Sequence, residues 1–560
     1  MVAEADPHAA PSLRRKLKRR ETRWLRLSAW VIACACLLPM IAVVLAAVTS
    51  GTDTVRHLAD SVLPRYLWAT VQLVVIVAIG TMIIGTGTAW LVTAFRFPGQ
   101  RLLEVLLVLP LAFPAYVLAY AYTDILDHPG IVQTTLRDLT GWGPRDYWFP
   151  EIRSLGGAAV MLTLVLYPYV YLLARAAFVQ QGGTGLLVAR TLGVGPWRAL
   201  LTVMAPQARP AIASGVLLAV METIADYGTV AFFGVQTFAT GIYSSWFTFA
   251  DRGAAAQLAL CLLGIALLFA ALEKISRGGK RFDTGARRQM VWARITLTGW
   301  KAWAATVLCA LPVLFGFALP VLALSTMATG SEQSLLSARY LGFLQNSLTV
   351  AGLAAVVTVL AALILSYYSR TGNSPQAAAP LGIARLGYAV PGGVIAVGLL
   401  VPFAALDNTI DAWMRSTLGI STGLIFTGSI ALLVLAYLVR FSAAAIGAYE
   451  SGQSSIHHNI DAAARSLGAS VYGTLFRVHL PVLAPSVLTA LLIVFVDVMK
   501  ELPATLIMRP FNFDTLAVQA HRLASDERLD GAAVPSLVIV AVGLLPVLLL
   551  CRTMARRGTD

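Results

Sequence analysis

Twelve apolar runs dictate most of what this 560-residue chain can fold into. They fall at about 27–48, 66–94, 102–122, 156–178, 210–235, 254–273, 302–326, 341–368, 382–404, 421–449, 483–508 and 531–551. Each approaches or exceeds the ~20 residues that a helix needs to cross a hydrocarbon layer of about 30 Å. Within that layer no water satisfies backbone N–H and C=O groups, so such a run crosses as an α-helix. With 58% hydrophobic and only 12% charged residues, the chain has more apolar surface than a soluble core could bury. The expected class is an all-α polytopic membrane protein with about twelve transmembrane helices.

The basic stretch Arg14–Arg20, RRKLKRR, resembles the start of a signal peptide. The run after it exceeds the ~7–15 residues of a signal core, which points to a retained first helix behind a basic N-terminus, 1–26. The net charge of +14 could suggest nucleic acid. Its Lys and Arg are instead spread over alternate loops, on the side of the N-terminus. That is the positive-inside pattern, and it predicts a multi-pass protein of a bacterial inner membrane with both termini cytoplasmic. Lipid, and no nucleic acid, is the implied partner. The five cysteines, Cys34, Cys36, Cys261, Cys309 and Cys551, show neither disulfide nor zinc spacing and read as small hydrophobes.

A basic linker, 274–301, divides the chain into a first repeat, 27–273, and a second, 302–553. Each has an even number of helices, so the repeats face the same way, related by an axis along the membrane normal. Both contain an insert that is polar by comparison. LLVARTLGVGPWRALLTVMAP runs from Leu186 to Pro206 and DAAARSLGASVYGTLFRVHLP from Asp461 to Pro481. One offset of 275 residues places Arg190 on Arg465, Gly193 on Gly468 and Pro206 on Pro481. Asp461 suits the first turn of a helix capped by Asn459, and Gly468 suits the left-handed residue after it. A second short helix is expected from Ser470 to Leu480, stopped by Pro481. Such a pair could simply close a loop at the membrane surface; duplication at fixed spacing favours a docking surface with two equivalent sites.

Both inserts resemble the cytoplasmic EAA loop of ABC-importer permeases, in which Glu-Ala-Ala, three residues, Gly, nine residues, a branched apolar residue, one residue and Leu-Pro follow one another. The second insert matches at Ala463, Ala464, Gly468, Val478, Leu480 and Pro481, with Ala462 where the glutamate stands and Asp461 one place earlier. The first has Leu187 and Val188 in place of the Glu and the first Ala, keeps Ala189, Gly193, Val203 and Pro206, and has Ala205 for the leucine. Twelve helices with this loop after the fourth and tenth are similar to the fused, two-domain, type I (MetI-like) form. The resemblance implies a homodimeric ATP-binding subunit docked on cytoplasmic loops 181–209 and 450–482, and a periplasmic substrate-binding protein on the other face. It makes Arg190, Gly193, Pro206, Asp461, Ala463, Arg465, Gly468 and Pro481 the coupling residues. No G-x-x-x-x-G-K-[ST] motif occurs, so no cofactor is expected on this chain; ATP and Mg belong to the partner, and the chain is a transport protein without catalytic residues.

Charged residues are costly within the membrane and usually face the bundle interior. Glu222 and Asp226 in the fifth run fall, at the same offset, on Asp497 and Glu501 in the eleventh, beside Lys500. Four carboxylates past the midplane around a common axis would form a cation pathway with hard oxygen ligands, Glu222, Asp226, Asp497 and Glu501 holding a metal ion transiently. Alternatively, Lys500 neutralises Asp497 or Glu501 and the pairs only hold helices together. Lys500–Gln519, KELPATLIMRPFNFDTLAVQ, and the stretch ADYGTVAFFGVQTFATGIY from Ala225 resemble ferric-iron permeases, which implies ferric iron as cargo; permeases for thiamine, polyamines, sulfate or phosphonates share the EAA loop. Tyr116, Tyr120, Tyr167, Tyr169 and Tyr171 read as interface anchors instead of iron ligands. His457, His458 and His479 read as contact or solvent residues, and Arg509 and His521 as external-loop positions that a binding protein could touch. A proton-coupled carrier with six plus six helices is the competing reading, but it has no use for duplicated inserts.

Overall fold

The computed structural model describes residues 11–51, 56, 60–181, 191, 193–277, 294–331, 337–372, 374–453 and 456–557. Among them, eleven single helices are long and apolar enough to cross a membrane, and a bent pair, counted as one span, brings the number to twelve. The only strands among these residues are two short ones, Phe95–Arg96 paired in parallel with Ile295–Thr296.

The bent pair corrects the expectation of one continuous helix over 102–122. Gln100–Ala112 and Ala115–Thr140 meet at 95°. Pro114 is the cause: it is extended (φ −68°, ψ 139°), offers no N–H, and holds Phe113 extended as well. The carbonyls at the end of the first arm then need donors from outside the helix. Tyr167 donates to the Leu107 carbonyl at 2.9 Å and Tyr171 to that of Glu104 at 2.7 Å. These two tyrosines are fully buried braces, contrary to their reading as interface anchors. Pro391 plays the same part in the second repeat. Pro375–Leu386 and a single 3-10 turn precede it, and the crossing helix starts only at Gly392 and runs to Leu418, later than the apolar run 382–404 suggested.

The helices gather into two compact units that cut across the sequence repeats. One comprises Met1–Leu45, Leu348–Val498 and Met508–Phe511; the other comprises Ala46–Ser347, Met499–Ile507 and Asn512–Asp560. The opening helix of each repeat is thus grouped with helices of the other repeat. In the smaller unit the Cys36 thiol lies 3.9 Å from the Ser442 hydroxyl. In the larger, Tyr122 donates to the Phe315 carbonyl at 2.6 Å and Thr306 to that of Pro98 at 2.9 Å, fastening Trp300–Gly330 onto first-repeat helices.

The core of the larger unit is the packing of Leu63–Ala94 against Leu155–Gln181 and Pro196–Ala225. Trp90 and Phe178 meet edge to face at 5.6 Å, both buried. Where lipid competes equally for apolar side chains, helices associate through close van der Waals contact, which favours small residues. Gly85 sits at the tightest such point: a Cβ there would lie 2.6 Å from the Val170 Cβ and 2.9 Å from the Tyr167 carbonyl oxygen. Gly87, two residues on and facing the other way, has nothing within 4 Å of its Cβ position among the described residues. Replacing Gly85 by Leu is therefore expected to cost about 1–3 kcal/mol through overpacking and to lower the thermal midpoint in detergent, whereas Gly87→Ala leaves it unchanged. Equal midpoints for the two variants would contradict this helix contact.

Candidate functional site

In the second insert the helix His458–Ser466 ends in a left-handed Gly468 (φ +84°), and the Ala469 N–H bonds back to the Ala464 carbonyl at 3.0 Å. This closure satisfies a carbonyl the helix end would otherwise leave open. Ser470 then caps the next helix, accepting from the Gly473 N–H at 2.9 Å. The first insert repeats the frame: Gly193 has φ +76°, Gly195 is the extended cap and Pro196 opens the helix. Leu187, Val188, Ala189 and Arg190 lie outside the described residues, as does the side chain of Arg465; Ala463 is exposed.

Pro206 and Pro481 do not stop these helices. Each follows a wide π turn, Leu200–Met204 or Leu475–His479, in which the residue just before the proline (Ala205, Leu480) bonds back five positions instead of four. The widened turn absorbs both the missing donor and the clash of the ring with the carbonyl four residues back. Each insert therefore runs straight into a long crossing helix, Pro196–Ala225 or Val471–Met499.

Asp461 is held inside the protein. Its carboxylate receives Arg370 Nε at 2.8 Å and lies 2.5 Å from His479 Nε2, so that nitrogen carries the proton. Arg370 also donates to the carbonyls of Gln453 (3.2 Å) and Ile456 (2.7 Å), and the Tyr367 ring stands edge-on to His479 at 5.4 Å. Partial burial pushes the Asp461 carboxyl upward, but the bonds from His479 and Arg370, with the charges of both, hold it below its ordinary value. His479, read above as a contact or solvent residue, is completely buried. Arg370 belongs to no motif and was not singled out; a lone Arg at the end of an apolar run was its only signal. In the first insert the position of His479 is taken by Met204, buried in an apolar cluster with Leu200 and Phe178. The two inserts share a frame but not an anchor.

The four carboxylates are placed at the far ends of their helices instead of partway along them: Glu222 is three residues from the end of Pro196–Ala225 and Asp497 two from the end of Val471–Met499. Asp226 and Glu501 stand just beyond, where each helix breaks. Asp226 accepts from the N–H groups of Thr229 (3.1 Å) and Val230 (3.2 Å) and from the Thr229 hydroxyl (3.1 Å). Glu501 accepts from the N–H groups of Ala504 (2.9 Å) and Thr505 (3.1 Å) and from the Thr505 hydroxyl (2.6 Å). Each thereby starts a short helix, Gly228–Phe232 or Pro503–Met508, using three of about four acceptor sites of the carboxylate. No group of three or more His, Cys, Asp or Glu among the described residues could hold a metal ion.

Asp226 and Glu501 do share a neighbour in the larger unit: both act electrostatically on the phenol of Tyr116, which donates to the Lys500 carbonyl at 3.4 Å. Tyr116 packs on Tyr120, Tyr120 bonds His521 Nδ1 at 3.1 Å, and Tyr227 stacks on Tyr243 at 3.6 Å. Tyr116, Tyr120 and His521 are all buried, so neither the anchor reading of the tyrosines nor the surface reading of His521 holds. Burial lowers His521 to about 4, which keeps the imidazole neutral at pH 7. The segment containing it, expected as an external loop, is a helix, Leu516–Ser525, capped by Thr515 and packed through the Leu516 N–H on the Ser347 hydroxyl at 2.8 Å. Arg509 is partly buried.

The Asp461 anchor predicts a measurable coupling. In a double-mutant cycle of Asp461→Asn and Arg370→Gln, unfolding measurements should give an interaction of about 1–3 kcal/mol at neutral pH. Because the folded carboxyl is held below its ordinary value, the pair's contribution is fully present above about pH 4 and fades as the pH falls further. A cycle that closes to zero at pH 7 would remove the anchor.

Residues 81–279 and 373–557 match the family model of the binding-protein-dependent transport system inner membrane component, one match in each repeat. An Fe(3+)-transport system permease protein of Haemophilus influenzae is 26% identical over 542 residues, covering 95% of this chain and 99% of the relative. A sulfate transport system permease protein of Escherichia coli K12 is 28% identical over 225 residues, 39% of this chain and 75% of its own length. A molybdenum transport system permease protein of the same strain is 30% identical over 193 residues, 33% of this chain and 79% of its own length. Two family matches, one per repeat, on a chain of apolar crossing helices leave one assignment: the chain belongs to the binding-protein-dependent transport system inner membrane component family, as a fused, two-repeat ABC-importer permease of MetI-like fold in the inner membrane, a transport protein and not an enzyme.

Proposed function

We propose that this permease imports ferric iron, which a periplasmic binding protein delivers, and that a homodimeric ATP-binding subunit drives it from the cytoplasmic face, with both termini on that side. The observation that carries the substrate reading is one similarity: the Fe(3+)-transport relative is 26% identical over 95% of this chain. Asp226 and Glu501, which share Tyr116 as a neighbour, would each offer a hard cation in passage about one acceptor site that the helix cap leaves unused. Glu222, Asp497 and Lys500 complete the proposed pathway. ATP and Mg are bound by the partner alone.

The mechanism is mechanical. Each insert meets one ATP-binding subunit, through Arg190, Gly193 and Pro206 in the first and Ala463, Arg465, Gly468 and Pro481 in the second. Because each insert continues without interruption into a long crossing helix, a push on the insert is delivered along that helix to its far end, where Asp226 and Glu501 hold the break. Closure of the ATP-binding pair then opens the pathway outward or inward. Asp461 acts through Arg370 and His479 as an internal strut of the second insert.

Cells with this chain and its partner subunits should accumulate labelled ferric ion faster than cells without the chain, with sulfate and molybdate uptake unchanged. Uptake of either oxyanion with no effect on iron would overturn the substrate. For the coupling role, Gly193 and Gly468 are the discriminating positions. Among the described residues nothing lies within 4 Å of a Cβ at either, so a side chain there acts through the left-handed backbone, at a cost of roughly 1–2 kcal/mol per site. The double variant Gly193→Val, Gly468→Val should lose transport at least tenfold while its amount in the membrane stays the same. Unaltered transport would sink the coupling assignment.

A further inference from the structure

At the end of the Leu63–Ala94 helix in the larger unit lies a cavity of about 520 Å³ that the transport cycle above does not use. Its wall carries Arg96, Arg101 and Arg294, with Gln100, Phe97 and Leu102. The short parallel pairing of Phe95–Arg96 with Ile295–Thr296 is what brings Arg96 and Arg294 together across the sequence. Gln100 fastens the turn by donating to the Val92 carbonyl at 2.5 Å, which sets Arg101 on the same side.

Among the described residues the positive charge beside this cavity exceeds the negative. Among the described residues none of the three guanidinium groups has a hydrogen bond or an ion pair. The nearby acid, Glu104, is engaged by Arg175. Arg294 is partly buried; burial pushes it down, Glu104 pulls it up, and Arg175, Arg96 and Arg101 push it further down. Three like charges gathered around one acid that Arg175 already engages disfavour one another, and an anion in the cavity would remove that cost. The planar fork of an arginine matches the oxygens of a phosphate bidentately, and several forks around one centre suit a phosphate better than a single carboxylate.

The location fits the same ligand. The cavity adjoins the start of Trp300–Gly330, whose Trp300 and Trp303 are 76% and 64% exposed. Exposed tryptophans at the end of a crossing helix mark head-group level, and basic pockets between helix ends there receive phospholipid head groups. The exposed Leu102 and the Phe97 ring give the wall an apolar side for the rest of such a molecule. The cavity also neighbours the first insert, because Phe95 packs on Trp197 with ring centroids 6.2 Å apart.

We propose that Arg96, Arg101 and Arg294 form a binding site for a phosphate group, carried by an anionic phospholipid head group or by a free phosphate compound, and that its occupancy steadies the strand pair on which the first insert rests. The full chain, placed in phosphatidylcholine nanodiscs with or without phosphatidylglycerol, is read by its thermal midpoint and by the lipid it retains in native mass spectrometry. Phosphatidylglycerol should raise the midpoint and be retained in preference to phosphatidylcholine. Each arginine changed to Gln should weaken that preference about fivefold, so that R294Q loses part of it and R96Q/R101Q/R294Q nearly all. R23Q/R26Q, which removes basic residues at another exposed place, should keep it. Inorganic phosphate that raises the midpoint in phosphatidylcholine alone, where phosphatidylglycerol does not, would assign the site to a free compound. The proposal is overturned if neither ligand acts, or if R294Q and the triple variant, with wild-type midpoints in phosphatidylcholine, respond as the wild type does.

Discussion

The structure depends on one constraint: in an apolar surrounding each peptide N–H and C=O must find its partner within the protein. Where a helix runs unbroken the constraint meets itself. Where it breaks, side chains must take over, and the breaks in this protein are accordingly where its polar side chains collect. Pro114 bends the third crossing, and Tyr167 and Tyr171 bond carbonyls of its first arm. The fifth and eleventh crossings end beside Asp226 and Glu501, each of which accepts two backbone N–H groups and a threonine hydroxyl. Carboxylates that looked like cargo ligands are first of all the groups that allow the chain to turn where these helices end.

The repeated inserts obey a related rule at the ends of the crossings. A left-handed glycine closes one short helix, a cap opens the next, and a π turn carries the chain past a proline into the membrane. Duplication preserved this backbone frame at a constant offset, because the frame depends on a few residue types with special backbone freedom. It did not preserve the packing. One insert is anchored through the polar Arg370–Asp461–His479 network and the other near an apolar cluster around Met204. Among the described residues the two inserts are thus fastened by different chemistry, so conditions that act on ionised groups act on the second more than on the first.

Residues far apart in sequence decide which surfaces meet. Cys36 with Ser442, and Tyr122 with the Phe315 carbonyl, put the opening helix of each repeat among helices of the other repeat. Similarly, Arg96 and Arg294 become neighbours only through a pairing of two residues per strand. No periodicity or motif marks such encounters, since loop length between crossings constrains them weakly.

The sequence by itself determined the class of the protein, the number of its crossings, the duplication and the glycine positions of the inserts. These follow from the length of apolar runs and from residue types with restricted backbones, both local properties. Only the tertiary structure decided that the third crossing is bent, that Pro206 and Pro481 are passed through, that His479 and His521 are buried, and that the membrane carboxylates cap helices. In each case the outcome turns on which donor or acceptor a distant segment supplies, and a hydrogen bond across hundreds of residues leaves no mark on the local pattern.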